Sequence, residues 1–153
     1  MEIRQAQPAE AERLTAIALA AKGYWNYAAE LMALWRAGLT VTPLRIAQDP
    51  VYVAVHDDQI IGFYALLPMA QAQIYELDDL WVEPAWIGRG VGKQLFHHAC
   101  AWVQAQGGTM LQLVAEPHAI GFYHKMGMTK IGERPSVPVG RVLDVMAVRL
   151  EGA

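Results

Sequence analysis

Residues 85–95 read AWIGRGVGKQL, and they decide how the chain is interpreted. Three alternating glycines and two positive charges lie within six residues: Gly88, Arg89, Gly90, Gly92 and Lys93. Apolar residues at helical spacing follow through residue 105. The first amides of a helix have no intrahelical acceptor and attract anions, and glycines let a bulky anion approach because they lack a Cβ. The stretch therefore predicts a phosphate-binding helix start.

Two common phosphate motifs do not fit this stretch. The dinucleotide fingerprint GxGxxG requires glycine at position 93, where the chain has Lys93. A P-loop requires glycine at position 87 and a hydroxyl at position 94, where the chain has Ile87 and Gln94. Both readings are excluded.

A third pattern does fit. Residues 87–92, IGRGVG, resemble the [QR]xxGx[GA] segment of the GNAT superfamily of N-acetyltransferases, with Ile87 as the one departure. Residues 116–128, EPHAIGFYHKMGM, resemble the family's second signature, A-x-x-F-Y-x-x-x-G. The resemblance implies acetyl-CoA as cosubstrate, with its pyrophosphate on the backbone amides of the first segment. It implies these cofactor-binding residues: Leu80, Val82, Ile87, Gly88, Arg89, Gly90, Val91, Gly92, Lys93, His118 and Phe122.

The order of predicted elements supports the same family. The pattern predicts a strand at residues 2–6, helices at 8–23 and 27–37, a hairpin after residue 50 and a strand at 74–82. A helix at 88–105, a strand from 110, a short helix from 117 and two last strands follow. We expect one α+β domain over residues 1–153, with a mixed, mostly antiparallel sheet of six to seven strands and about four helices.

Composition excludes several functional classes. Apolar residues make up 54% of the 153 residues and charged residues 18%, which argues against disorder. No apolar run reaches the roughly 20 residues of a membrane span. The net charge of −3 argues against nucleic acid as a partner. A lone cysteine, Cys100, and a histidine pair without neighbouring acids predict neither a disulfide nor a metal site, so we expect a cytoplasmic protein.

Acetyl transfer to an amine requires an acid for the departing thiolate and donors for the developing oxyanion. The resemblance places Tyr123 beside the sulfur of CoA, and a phenol with a pKa near 10 can donate a proton there. It also assigns the oxyanion to the backbone amides of Leu80 and Val82. On residue type alone, Tyr123 and Phe122 also fit a core position, and Cys100 is better suited to packing than to an acyl-cysteine mechanism.

The strand at residues 74–82 contains three acids that compete for the role of base. Glu76 lies where some members of the family have a catalytic glutamate, and Asp79 points to the opposite face because side chains alternate along a strand. A water molecule is the third alternative. These acids also suit a structural role or contact with a substrate cation.

The acceptor is expected to be a primary amine of a small molecule. Trp25 and Tyr27 lie between the first two helices, where the family shapes its acceptor pocket, although they also suit packing between the helices. Asp79 is a further candidate for substrate contact. A non-catalytic acyl-CoA sensor, a protein or peptide amine as acceptor, another acyl group and a homodimer remain alternatives to test.

Overall fold

A computed structural model describes residues 1–151. The strands are β1 (Glu2–Gln5), β2 (Val51–His56), β3 (Gln59–Pro68), β4 (Ile74–Val82), β5 (Met110–Val114), β6 (Thr129–Pro135) and β7 (Val142–Arg149). The helices are α1 (Ala11–Gly23), α2 (Ala29–Leu39), α3 (Pro43–Gln48), α4 (Val91–Ala105) and α5 (Ile120–Lys125). Short 3-10 turns precede α1, α4 and α5.

The seven strands form one sheet in the order β1-β2-β3-β4-β5-β7-β6. Strands β4 and β5 pair in parallel, whereas the pairs β1–β2, β2–β3, β5–β7 and β6–β7 are antiparallel. The helical connection through α4 provides the crossover that a parallel pair needs. The predicted α+β class and the mostly antiparallel sheet are confirmed.

The chain divides into two compact units. The first contains Met1–Ala65 and Asp79–Leu95, and the second contains Leu66–Asp78 and the chain from Phe96 onward. One domain over residues 1–153 stays a prediction, and its last two residues lie outside the described part of the chain. The core of the first unit packs α1 against β2 and β3 through fully buried side chains such as Leu14, Ile17, Val53 and Phe63.

The helices differ from the prediction in number and in several of their bounds. The sequence predicts about four helices, whereas five α-helices are present in residues 1–151. The additional helix is α3, whose start is capped by the Thr42 hydroxyl accepting from the amide of Arg45, with Pro43 at the first helical position. The helix predicted at 27–37 is α2, displaced by two residues, and the helix predicted from Gly88 begins only at Val91.

Candidate active site

The glycine stretch forms the entrance to α4 in the first unit. Gly88 and Gly90 have φ angles of +80° and +83°, which other residues rarely adopt. A Cβ placed on either glycine would meet no atom within 4 Å, so open space lies beside the backbone. The first intrahelical bond runs from the Gln94 amide to the Gly90 carbonyl at 3.1 Å. The amides of residues 91–93 therefore precede the helical hydrogen-bond ladder, as an anion site requires.

The two positively charged side chains of this stretch, Arg89 and Lys93, have different surroundings. Lys93 is exposed. The Arg89 guanidinium lies over the indole of Trp86, with its Cζ atom 5.0 Å from the ring centroid. The His56 ring also lies beside this indole, at 4.7 Å between centroids. Since Ile87 is 42% exposed and brings no polar group, Arg89 and Lys93 supply the positive charge of the stretch.

Strand β4 leads into this stretch. Its registered pairs with β5 involve only Ile74–Glu76, opposite Met110–Gln112, and β4 continues to Val82 beyond that register. The side chains of Leu80 and Val82 are half-buried. The later half of β4 therefore has no registered pairs with β5. Amides on that side of β4 have to be unpaired if those of Leu80 and Val82 are to bind an oxyanion.

Asp79 is buried in the first unit with both carboxylate oxygens engaged. Arg45 donates to Oδ2 at 2.9 Å, and the Trp81 indole donates to Oδ1 at 3.0 Å. The same guanidinium lies 3.6 Å from Asp49. Sequence reasoning missed Arg45 because this residue lies on α3, a helix that the hydrophobic pattern does not predict. The cluster ties α3 to β4.

Glu76 is buried in the second unit and forms an ion pair with Arg134 of β6. The Arg134 guanidinium donates to Oε1 at 3.1 Å. Asp78, two residues along β4, is exposed instead. A buried carboxylate needs such a partner, because an unpaired charge would be costly. Glu76 and Asp79 therefore each have an arginine partner, which fits the structural role that the sequence analysis left open.

Tyr123 lies on α5 and is 8% exposed. Its ring contacts two phenylalanines, with centroid distances of 5.2 Å to Phe122 and 6.3 Å to Phe96 of α4. Phe122 is half-buried and also meets Phe96 edge to face. The aromatic packing fixes the position of the Tyr123 ring. It does not distinguish the predicted catalytic role from a core role.

His118 lies in the 3-10 turn before α5, in the same unit as Tyr123. Its Nδ1 atom is 2.7 Å from Oε1 of Glu116. Oε2 of Glu116 is 3.8 Å from Arg141, which lies just before β7. The resemblance stated in the sequence analysis implies His118 as a cofactor contact. The carboxylate partner that His118 shares with Arg141 was missed, because nothing in the spacing links residue 141 to residue 116.

Trp25 and Tyr27, the predicted substrate contacts between α1 and α2, have different environments. Trp25 is exposed, whereas Tyr27 packs edge to face on buried Trp35 at 4.8 Å. The buried ammonium of Lys22 lies 4.4 Å from the Trp35 ring centroid and 4.9 Å from that of Tyr27. Tyr27 therefore packs against Trp35 and takes part in a cation–π contact with Lys22. Its contact with a substrate stays a prediction.

Cys100 gives a prediction of its own. Burial raises the pKa of this thiol to about 11, so it stays protonated throughout the neutral range. Since the thiolate is the nucleophile, we expect negligible alkylation of the folded protein by iodoacetamide at pH 8 and rapid alkylation in denaturant. Mass spectrometry measures both. Rapid labelling of the folded protein, or loss of acetyl transfer in Cys100→Ala, would contradict the packing role.

The sequence comparison identifies the class of protein. Residues 12–128 match the Acetyltransferase (GNAT) family. The chain belongs to this family, which confirms the resemblance that the sequence motifs predicted.

Individual relatives extend the comparison. A peptidyl-lysine N-acetyltransferase, YjaB, from Salmonella typhimurium is 32% identical over 97 residues, which are 63% of this chain and 61% of that protein. The fold is similar to that of the PaiA N-acetyltransferase from Thermoplasma acidophilum in complex with coenzyme A, with a TM-score of 0.78, 21% identity, and coverage of 97% of this chain and 98% of that one. It is also similar to YncA of Salmonella typhimurium with acetyl-CoA, with a TM-score of 0.72, 22% identity and coverage of 100% and 95%.

Two further properties concern the described residues. Within residues 1–151, no three His, Cys, Asp or Glu side chains are grouped so that they could hold a metal ion. No helix in this part of the chain combines the length and apolar character needed to cross a membrane.

Proposed function

We propose that this protein transfers the acetyl group of acetyl-CoA directly to a primary amine of a small molecule. The observation that carries the proposal is the entrance to α4, where Gly88 and Gly90 hold left-handed conformations beside open space. Two ordered glycines lower the stability of the fold, because glycine loses more conformational freedom on folding than other residues. A binding role for the open backbone would explain why they are present. A diphosphate is the anion that fits such an entrance.

The residues around the entrance fit coenzyme A. The amides of residues 91–93 would bind the diphosphate in the space beside Gly88 and Gly90, with charge-assisted hydrogen bonds adding to the field of the helix start. Arg89 and Lys93 would contribute long-range attraction, and the stacking of Arg89 on Trp86 limits how far its guanidinium moves. Ile87 brings no polar side chain, and its amide already donates to the Pro84 carbonyl at 3.3 Å.

Acetyl-CoA supplies an activated thioester, and the protein has to stabilise charge around it. We assign the amides of Leu80 and Val82 to the carbonyl oxygen, because β4 continues past its register with β5. We assign Tyr123 as proton donor to the departing sulfur, since a phenol is protonated at neutral pH and the aromatic packing holds this ring in place. His118 and Phe122 are proposed neighbours of the cofactor.

The proton of the acceptor ammonium needs a base. Glu76 stays a candidate, although its Oε1 atom already accepts from Arg134. Asp79 would have to give up one of its two bonds to meet a substrate. Both carboxylates are therefore held by donors that compete with a proton.

The acceptor has two candidate classes. A small amine suits the sequence expectation, with Trp25 and Tyr27 near it. A lysine side chain of a protein is the second class, because the relative from Salmonella typhimurium is a peptidyl-lysine N-acetyltransferase. Both classes present a primary ammonium and require the same chemistry.

The test is release of free thiol from acetyl-CoA with a panel of diamines, aromatic amines and lysine-containing peptides, each product checked by mass. We expect release that depends on both reactants and on one acceptor class. Binding of CoA without transfer to any acceptor would contradict the enzyme and favour the sensor. Faster transfer of a propionyl or another acyl group would show that acetyl is not the preferred acyl group.

A cytoplasmic location and a homodimer stay predictions, which fractionation and light scattering would test.

A further inference from the structure

A tight turn joins Trp86 to Arg89 at the beginning of the glycine stretch, within the first unit. Ile87 has φ and ψ angles of −63° and 138°, and Gly88 has a φ of +80°. A type II turn has such angles at its two central residues, and its third position favours glycine. The Arg89 amide donates to the Trp86 carbonyl across the turn at 3.4 Å. The positive φ of Gly88 is therefore the backbone angle that brings residues 86 and 89 together.

The side chains at the two ends of this turn are also in contact. The Arg89 guanidinium lies over the indole of Trp86, with its Cζ atom 5.0 Å from the ring centroid. Trp86 is half-buried and Arg89 is exposed. In the described part of the chain no carboxylate forms an ion pair with Arg89, whereas Arg13 of the same unit pairs with Glu83 at 2.7 Å. An aromatic ring, rather than an acid, therefore holds Arg89, and its positive charge is not neutralised.

Trp86 is itself supported by two strands of the sheet. The His56 ring at the end of β2 lies 4.7 Å from the indole, with the ring planes tilted by 56°. The Trp86 amide donates to the Glu83 carbonyl at 2.8 Å, and the Glu83 amide donates to the Ile61 carbonyl of β3 at 2.8 Å. Because these contacts lie within the protein, the indole is fixed before any ligand binds.

An arginine that is already held binds an anion at lower cost than a mobile one. Ordering a long side chain on binding costs roughly two- to tenfold in affinity. A guanidinium can stack on a ring by its face while the N–H donors at its edge bind a phosphate. Arg89 lies between Gly88 and Gly90, beside the open space that their missing Cβ atoms leave. The stack therefore keeps a positive charge next to the space proposed for the diphosphate.

We propose that Trp86 is a positioning residue, which holds Arg89 so that the guanidinium binds the diphosphate of coenzyme A directly instead of only attracting it. Arg89 donates charge-assisted hydrogen bonds to the diphosphate beside the amides of residues 91–93. Trp86 contacts the guanidinium and not the ligand, so it acts on affinity through Arg89 alone. The inference rests on the proposed function, because it requires CoA at the entrance to α4.

A double-mutant cycle of CoA affinity, measured by calorimetry, tests whether the two residues act as one unit. We expect Arg89→Gln to weaken binding about tenfold, through the loss of charge-assisted hydrogen bonds. Trp86→Leu should weaken it about fivefold, since Arg89 then has to be ordered on binding. The double variant should lose about tenfold, whereas independent residues would lose about 50-fold.

Lys93→Gln is the matched control for the cycle. Lys93 is an exposed cation of the same stretch and lies on α4. Its loss of affinity should multiply with that of Trp86→Leu to within about twofold, because the indole does not position it.

Three further measurements separate positioning from simple packing. At about 1 M KCl, where the screening length is about 3 Å, the losses in Arg89→Gln and Trp86→Leu should shrink to within about twofold. Trp86→Tyr keeps an aromatic face for the guanidinium and should bind CoA within about twofold of the wild type. In NMR spectra of the wild type, the indole should shift the side-chain protons of Arg89 upfield before CoA is added. This last measurement does not depend on the folding of any variant.

Several outcomes would overturn the inference while the wild type still binds CoA and the proposed function stands. They are multiplicative losses for Trp86→Leu and Arg89→Gln, a Trp86→Leu loss that persists at high salt, a Trp86→Tyr variant as weak as Trp86→Leu, and unshifted Arg89 protons. Dephospho-CoA, which lacks the ribose phosphate, should show the same loss in Arg89→Gln as CoA. A loss confined to CoA would assign Arg89 to the ribose phosphate and would also overturn the inference. If the wild type binds no CoA, the proposed function itself fails, and the inference with it.

Discussion

Gly90→Ala is expected to weaken CoA binding by at least about 30-fold. Gly90 has a φ of +83°, and its missing Cβ leaves space that the diphosphate would fill. A methyl group there would push the anion away from the amides of the helix start, and each lost charge-assisted hydrogen bond is worth about 1.5–3 kcal/mol. Loss of one such bond alone accounts for a change of this size, since 30-fold in affinity corresponds to about 2 kcal/mol. Isothermal titration calorimetry with CoA measures it.

Gly107→Ala provides the matched control. Gly107 follows α4 with a φ of +81°, and its Cβ position is also open. Both substitutions therefore carry a similar backbone penalty of about 1–2 kcal/mol in unfolding free energy. We expect equal losses of stability in thermal unfolding and a loss of CoA affinity in Gly90→Ala only. Equal affinity in the two variants would contradict the role of the glycine stretch.

Tyr123→Phe is expected to lower kcat for acetyl transfer by about 100-fold. The substitution removes the hydroxyl that is proposed to protonate the departing thiolate, and general acids contribute about 10²–10⁴-fold. The ring and its contacts with Phe96 and Phe122 remain, so the helix should keep its packing. Stopped assays with saturating acetyl-CoA and amine measure kcat.

Tyr75→Phe is the control for the loss of a phenolic hydroxyl elsewhere in the same unit. Tyr75 is half-buried on β4 and packs edge to face on Trp102 at 5.6 Å. We expect wild-type kcat in this variant, and CoA affinities within about threefold of the wild type in both. A Tyr123→Phe enzyme with full kcat would assign the residue to the core, as its residue type also allowed.

Local patterns accounted for most of the fold. The strand predicted at residues 74–82 is β4 without a change of bounds, because a β-rich run before Pro84 has no competing structure. The hairpin of β2 and β3 follows from alternation around Asp57 and Asp58, both with positive φ. α3 was missed because six residues between Pro43 and Gln48 are too few for a periodic signal.

The start of α4 shows why glycines mislead a boundary prediction. The helical pattern was extended back to Gly88, yet two glycines with positive φ keep the backbone out of the helix until Val91. The proposed anion site depends on this non-helical segment before Val91. Residue types alone identify the motif, whereas the positive φ angles of its glycines are known only from the structure.

The candidate site was predictable only where partners are close in sequence. The glycines, the acids and Tyr123 could be selected from motifs. The arginine partners of the acids lie 34 to 58 residues away in the sequence, as in Arg45 with Asp79 and Arg134 with Glu76. A single sequence contains several arginines of equal chemistry, and only the sheet order decides which one meets which acid.

The central claim is that the amides at the entrance to α4 bind the diphosphate of coenzyme A. Backbone amide NMR spectra recorded during a titration with CoA test it most directly, with dephosphorylated pantetheine as a ligand that lacks the diphosphate. The account predicts large downfield shifts for the amides of residues 91–93 with CoA and small ones with pantetheine. Saturable CoA binding that leaves these amides unshifted would contradict it.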